Sequence, residues 1–443
     1  MTKHIDNEST KIEYLAYHES LTGLPNRRSL EDKVNQFLKT HKTPCNFALL
    51  FLDINKFKYV NDTHGYTIGD ELLKSIATRL REKISSNEFI ASLGGDKFVI
   101  ALMEPSSEEF VAAYAKELLL LISKIFSVDD YQFRINASIG ISFYTKETQD
   151  YNTLLRYADI ALYYAKEQGR NNFRFFEIEM LDKINAKSQL EHDLHVALEN
   201  NEFILYYQPL LCLKTNTCTG VEVLLRWKKK DGSVIRPEKF VDVSVESGLI
   251  GPMTQWILRT ACHQLKCWRD SGLHLQHIAV NITAPYLIDA KFVDFIKQVL
   301  HEENLSGDSL ELEITENILI EDIENTQLVI NSLKQLGVKV TIDDFGTGYS
   351  SFNYLKRFYF DRIKIDQSFV SDIFRSQSDL AIVKAIIAVG KSLEVKLLAE
   401  GIETADQQQI LTDLGCDEIQ GYYYCRPNSV DIITAFLRRV ELK

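Results

Sequence analysis

Acidic or amide side chains recur in or near the ends of apolar runs across the C-terminal half of this chain: Glu222, Asn281, Glu313, Asp343, Asp344, Asp366, Glu400 and Gln420. Carboxylates gathered into one small space repel one another unless a cation lies between them. Oxygen ligands without His or Cys suit a hard divalent ion such as Mg2+ or Mn2+, and this many carboxylates allow two. Two such ions about 3.5–4 Å apart hold a hydroxide and stabilise both the attacking and the leaving oxygen of an in-line displacement at phosphorus. Phosphoester hydrolysis is the chemistry expected of the set. Lys364 belongs with it, because an inward-pointing ammonium in the apolar run RIKID (362–366) needs a carboxylate or phosphate partner.

Something must bring these residues together. Strand-like runs stand at 203–211, 219–227, 277–283, 309–315, 337–343, 361–366, 394–400 and 416–424, most of them separated by helical patterns. Repeated strand–helix alternation over this length fits a (β/α)8 TIM-like barrel of ~250 residues, in which the C-terminal strand ends converge on one site. Only residues 212–218 separate the first two runs. A parallel crossover needs about a dozen residues or more, so this step is a hairpin and the barrel contains one antiparallel strand.

The N-terminal half has another rhythm. An apolar strand at 46–54 precedes a helical pattern at 70–83; short apolar runs at 89–93 and 98–103 flank Gly94-Gly95-Asp96, which reads as a hairpin turn. A helix at 107–125, a strand at 132–144 and a helix at 151–168 complete an α+β domain. Residues 1–12 form a short lead, 13–176 the first domain, 177–188 a connecting helical segment and 189–443 the barrel, with the helical pattern itself running over 177–200. Ile12, Leu15 and Ala16 could begin a further short helix.

The chain has 443 residues, 45% hydrophobic and 25% charged, enough for two globular cores. Its net charge of -12 argues against a long nucleic acid as partner. The apolar stretch 110–128 is broken by Lys116, Glu117 and Lys124 and reads as a buried or amphipathic helix rather than a membrane span. The N-terminus lacks a secretory apolar core, and the seven cysteines contain no C-x-x-C pair, so a cytoplasmic location with free thiols is expected. Cys262 and Cys267 read as helix packing.

From about Gln189 onward the sequence resembles the bacterial EAL domain. The resemblance rests on YQP (207–209), Glu222-Val223-Leu224 followed by Leu225-Arg226-Trp227, NIT (281–283), ELEITE (311–316), DDFGTGYSS (343–351), KID (364–366), AEGIE (399–403) and QGYYY (420–424). It implies hydrolysis of cyclic di-GMP to linear pGpG, with Glu222, Asn281, Glu313 and Asp343 around one metal and Asp343, Asp344 and Glu400 around a second. Lys364 and Gln420 would lie beside the attacking water, Gln208, Arg226, Asp366 and Glu403 would contact substrate, and Glu316 would steady the loop after Asp344. Val223 stands where the family has Ala and Thr283 where Ser is usual; neither change removes a ligand.

Residues 13–176 resemble a GGDEF domain, a nucleotide-cyclase-like fold whose active members make cyclic di-GMP from GTP. LTGLPNRR (21–28) and DIALYYAKEQGRN (159–171) carry the resemblance, with Asp53, Phe57, Lys58, Asn61 and Asp70 between them. Asp53 and Asp96 could share a Mg2+ on a triphosphate, with Lys166 and Arg170 balancing charge, while Asn61 and Asp70 resemble the guanine-reading pair. The signature itself reads Gly94-Gly95-Asp96-Lys97-Phe98. An ammonium in place of a carboxylate shifts the local charge by two units and weakens a second metal, so GTP is expected as a regulatory ligand rather than a substrate. Ser92 replaces a usual Arg, and Ser85-Ser86-Asn87-Glu88 occupies the place of the R-x-x-D product-inhibition motif. The resemblance also implies a homodimer. Alternatives are a cyclic di-GMP receptor without catalysis and a bifunctional cyclase and hydrolase; the intact metal ligands argue against the first and Lys97 against the second.

Overall fold

The computed structural model describes residues 14–40, 46–145, 150–316, 318–347 and 358–441. The lead at 1–12, including Ile12, and most of the loop following Asp344 lie outside them. The chain divides into two compact units, Met1–Ala186 and Lys187–Lys443. That division falls within one 22-residue helix, Ile178–Glu199.

In the N-terminal unit the strands are β1 (Phe47–Ile54), β2 (Glu88–Gly94), β3 (Lys97–Met103), β4 (Phe126–Val128), β5 (Tyr131–Phe133), β6 (Ala137–Phe143) and β7 (Phe173–Phe175). Five of them form a sheet in the order β2-β3-β1-β6-β7. β1 is central and buried throughout because both of its faces are covered. Ala48, Leu50, Leu52 and Ile54 feed one apolar layer, and Phe47, Leu49 and Phe51 the other. A strand covered on both faces reads as an unbroken apolar run rather than an alternating one. β1 pairs antiparallel with both neighbours, whereas β6 and β7 are parallel.

The single strand expected at 132–144 is interrupted. Asp129, at φ 48°, turns the chain so that β4 and β5 form their own small hairpin before β6 begins. The apolar stretch at 110–128 contributes the helix Glu108–Ile122, whose Val111, Ala115, Leu118 and Ile122 are buried. Among the described residues no helix is long and apolar enough to cross a membrane.

The C-terminal unit contains β8 (Phe203–Cys212), β9 (Cys218–Lys228), β10 (Val234–Ile235), β11 (His277–Asn281), β12 (Leu310–Thr315), β13 (Lys339–Phe345), β14 (Arg362–Ile365), β15 (Lys396–Ala399) and β16 (Glu418–Ile419). They run in the order β10-β9-β11-β12-β13-β14-β15-β16-β8, and β8 pairs back onto β9 to close a barrel, with β10 added outside it. β8 is antiparallel to both β9 and β16, while the pairs from β9 through β16 are parallel. Seven residues cannot carry a crossover, which is why the reversal falls where it does.

The final run is shorter than its apolar pattern. Only Glu418 and Ile419 are strand, because Gly421 presses against the Ile402 backbone, where an added Cβ would lie 2.1 Å from the carbonyl oxygen. Outside the barrel the helix Ile250–Asp270 buries Met253, Ile257, Leu258, Ala261, Leu265 and Trp268 at helical spacing. Cys262 is buried with them but Cys267 is exposed. Residues five apart on an α-helix lie ~140° apart around its axis, so the two thiols cannot share a face.

Candidate active site

Lys364 is the third residue of β14, and strand alternation points it into the barrel, where 1% of it is exposed. Its ammonium lies 2.9 Å from Glu313 Oε2, 2.8 Å from Glu400 Oε1, 3.1 Å from Asp343 Oδ1 and 3.7 Å from Glu222 Oε2. These four carboxylates come from β12, the end of β15, β13 and β9. Burial alone would push the ammonium down, but the surrounding Asp343, Glu222, Glu313 and Glu400 hold its pKa well above the usual lysine value. The partner that the buried lysine required is this ring of carboxylates.

One ammonium does not neutralise four carboxylates, and the excess negative charge shows. Burial raises the Glu313 carboxyl well above its ordinary range, with Glu222 and Asp343 adding to the rise against the pull of Lys364. Burial likewise takes Glu400 up to about 8. Asp344 rises to about 6, through burial first and then the charges of Asp343 and Asp366.

Successive residues of a regular strand point to opposite faces. Asp343 and Asp344 escape that rule because the pairing of β13 with β14 shifts register between Ile342 and Phe345, and Asp344 adopts φ 54°. The Asp344 N–H donates to Asp343 Oδ1 at 3.0 Å. Both carboxylates then reach Glu400, and oxygens of Asp343, Asp344 and Glu400 lie within 4.8 Å of one another, a spacing that suits one cation.

Glu222 is fixed from two sides: Asn281 Nδ2 donates to its Oε1 at 2.9 Å, and Gln420 Nε2 donates to its Oε2. Gln420 Nε2 also donates to Gln208 Oε1 at 2.8 Å, and Gln208 Nε2 donates to the Cys425 carbonyl at 3.1 Å. Two buried acceptors, Glu313 Oε1 and Gln420 Oε1, have no hydrogen-bond partner among the described residues. Buried acceptors of this kind need a cation or water. The oxygen-rich donor set and these two atoms fit divalent ions.

A cleft of about 280 Å3 opens above the cluster, with Gln208, Glu222, Arg226, Glu400 and Glu403 in its wall. Arg226 lies 5.5 Å over the Tyr206 ring at the rim, and Glu403 is exposed. Asp366 caps the helix Gln367–Ser371, its Oδ1 accepting the Ser368 N–H at 2.9 Å, and stands beside Asp344. Glu316 is buried at the end of β12, whereas residues 348–357 of the loop it was expected to steady are outside the described set. Arg236 and Tyr422 also line the cleft. QGYYY already marks Tyr422, but nothing in the pattern around Arg236 singles it out.

In the N-terminal unit Asp53 is the penultimate residue of β1 and Asp96 lies in the β2–β3 turn, where burial and then the charge of Asp53 raise its carboxyl. Lys166 Nζ lies 2.6 Å from Asp53 Oδ1. Lys97 is exposed, 5.9 Å from the centre of the Phe51 ring. Asn61 Oδ1 is buried without a hydrogen-bond partner among the described residues and lies against Gly69, where a Cβ would meet it at 1.9 Å. Phe57 is buried, whereas Lys58, Asp70 and Arg170 are exposed.

Comparison with known proteins adds family to geometry. The EAL domain family matches residues 191–427, and the diguanylate cyclase GGDEF domain family matches residues 16–172. Over 422 residues the chain is 39% identical to the bifunctional diguanylate cyclase/cyclic di-GMP phosphodiesterase MucR of Pseudomonas aeruginosa, covering 95% of this chain and 62% of that one. It is 35% identical over 417 residues to the cyclic di-GMP phosphodiesterase PdeR of Escherichia coli, covering 94% of this chain and again 62% of the relative. The chain thus spans less than two thirds of the length of these curated relatives. Among solved structures, the PaMucR phosphodiesterase in complex with c-di-GMP is 39% identical, covering 55% of this chain and 99% of that one, with a TM-score of 0.54.

Proposed function

Because this chain belongs to the EAL domain family, with a GGDEF-family region ahead of the barrel, we propose that it is a divalent-metal-dependent phosphodiesterase that hydrolyses cyclic di-GMP to linear pGpG. The observation that carries this reading is the convergence of Asp343, Asp344 and Glu400 beside the carboxylate ring of Lys364. Asp343, Asp344 and Glu400 would hold one Mg2+ or Mn2+, and Glu222, Asn281 and Glu313 with Asp343 a second. When bound, such ions supply Lewis acidity at the phosphate oxygens and activate water for in-line attack.

The side chains do the rest. Gln420 has committed its amide hydrogens to Glu222 and Gln208, which leaves Oε1 to accept a hydrogen from the attacking water. Lys364 keeps its proton on Nζ throughout and offers it to the charge that develops at phosphorus. Arg226, at the rim, receives a substrate phosphate as a planar fork. In the N-terminal region, Asn61 and Asp70 would read the guanine of GTP as a regulatory ligand, with Asp53, Asp96, Lys166 and Arg170 near its phosphates. Lys97 stands against synthesis there.

The test is to incubate purified protein with cyclic di-GMP and Mg2+ or Mn2+ and to follow pGpG by chromatography beside a Glu222→Ala control. Metal-dependent pGpG that the control lacks supports the hydrolase. Binding without cleavage, with or without GTP, overturns it in favour of a receptor.

A further inference from the structure

Beneath the carboxylate ring lies a second ionic layer on the same strands. Side chains two apart on a strand share a face, and in each case an inward-facing residue precedes a site residue by two: Gly220 before Glu222, Glu311 before Glu313, Thr341 before Asp343, Arg362 before Lys364 and Glu418 before Gln420. Glu311, Thr341, Arg362 and Glu418 are all buried. Gly220 leaves room for His277 from β11, since a Cβ there would meet His277 Nε2 at 2.6 Å.

Arg362 is the hub of this layer. Its Nη1 lies 2.5 Å from Glu311 Oε1 on β12, and its Nη2 lies 2.5 Å from Glu418 Oε2 on β16. Thr341 on β13 donates to Glu311 Oε1 at 2.5 Å, and His277 Nε2 lies 3.2 Å from both Arg362 Nη1 and Glu311 Oε2. One planar fork therefore spans from β14 to two strands that are not its neighbours in the sheet. The layer above needs such a brace. There, four carboxylates surround one ammonium, and their repulsion acts to separate β9, β12, β13 and β15.

We propose that Arg362 is a positioning residue for the reaction: by bridging Glu311 and Glu418 it sets the spacing of β12, β14 and β16 one layer below Glu313, Lys364 and Gln420, and so preorganises the carboxylates that hold the metals. The proposal rests on the hydrolase reading above. An ammonium at this position keeps the charge but lacks the planar fork whose two separate nitrogens reach Glu311 on one side and Glu418 on the other. Groups that orient metal ligands from behind typically govern affinity and rate by about 10- to 100-fold.

The experiment compares wild type, Arg362→Lys and Arg362→Met at a temperature well below each unfolding midpoint. It reads Mn2+ affinity by calorimetry, and kcat and KM with cyclic di-GMP. Arg362→Met is expected to lose roughly tenfold in Mn2+ affinity and 10- to 100-fold in kcat, with KM within about twofold, and Arg362→Lys to recover part of both losses. A merely structural arginine would lower the midpoint and leave Mn2+ affinity and kcat of the folded protein unchanged, which overturns the proposal. Should Arg362→Met not fold, Glu418→Gln breaks only the bridge to β16 and is read by the same two measurements. Wild type that neither binds Mn2+ nor cleaves removes the hydrolase reading and this one with it; active wild type with unaffected variants removes the positioning role alone.

Discussion

Gln420 gives one amide nitrogen to two acceptors, Gln208 Oε1 at 2.8 Å and Glu222 Oε2. A residue just past the last strand of the barrel is thereby tied to the first two. Gln208→Ala and Gln420→Ala should each lower kcat/KM, and the double variant should lose less than the sum, with a coupling energy of about 1–3 kcal/mol in a double-mutant cycle. Additive losses would show that the Gln208–Gln420 bond is incidental to the reaction.

Removing the ammonium leaves the carboxylates of Glu313, Glu400, Asp343 and Glu222 facing one another. Lys364→Met is expected to cost about 3–5 kcal/mol of stability in the presence of EDTA, as for other broken buried ion pairs. Mn2+ should then raise its thermal midpoint by more than it raises that of wild type. Equal Mn2+-induced shifts would mean that metal and ammonium do not answer the same charge.

His277 gives the barrel base a pH dependence of its own. Burial, only partly opposed by Glu311, lowers its pKa from 6.5 to about 3. A base depressed in the folded state contributes stability that is complete above the unfolded value and is lost as pH falls towards the folded one. Between pH 7.5 and 5.5 this residue alone should withdraw about 1.4 kcal/mol. Thermal unfolding of wild type should therefore fall further over that interval than that of His277→Gln, and parallel curves would refute the assignment.

Lys97 is exposed, so Lys97→Glu should change stability by less than about 0.5 kcal/mol. Wild type incubated with GTP and Mg2+ is expected to form no cyclic di-GMP. Any synthesis confined to the Glu variant can then be ascribed to charge at the turn, whereas synthesis by wild type would overturn the regulatory reading of the N-terminal domain.

The sequence announced the barrel because its strands are buried on both faces and stand out as apolar runs between helical patterns. It announced the reversed strand through a geometric limit, since 212–218 is too short to cross a sheet. The carboxylates were visible as polar interruptions at strand ends, and Lys364 as a charge that needed company. The role of backbone geometry was less visible: the register shift that turns Asp343 and Asp344 to one side depends on pairing with β14. The pairing of β5 with β4 and the close approach of Gly421 to Ile402 were hidden for a similar reason, as both depend on contacts that hydropathy does not record. Nothing in the sequence singles out Arg362 or Glu418, because their partners lie on strands distant in sequence.

The antiparallel course of β8 also decides where a probe on either flank of the barrel would report. Phe203 pairs with Trp227 at the end of β9 beyond Glu222, whereas Leu211 pairs with Cys218 at its start. In an all-parallel barrel the leading segment would arrive at the base; here it arrives at the reactive mouth. The last helix, Val430–Glu441, brings Phe436, Arg439 and Val440 alongside Leu211 and residues 215–217 at the base. A fluorophore just ahead of residue 203 would thus sit on the mouth side of the barrel, while one at the end of that helix would watch the quiet side of the same cylinder.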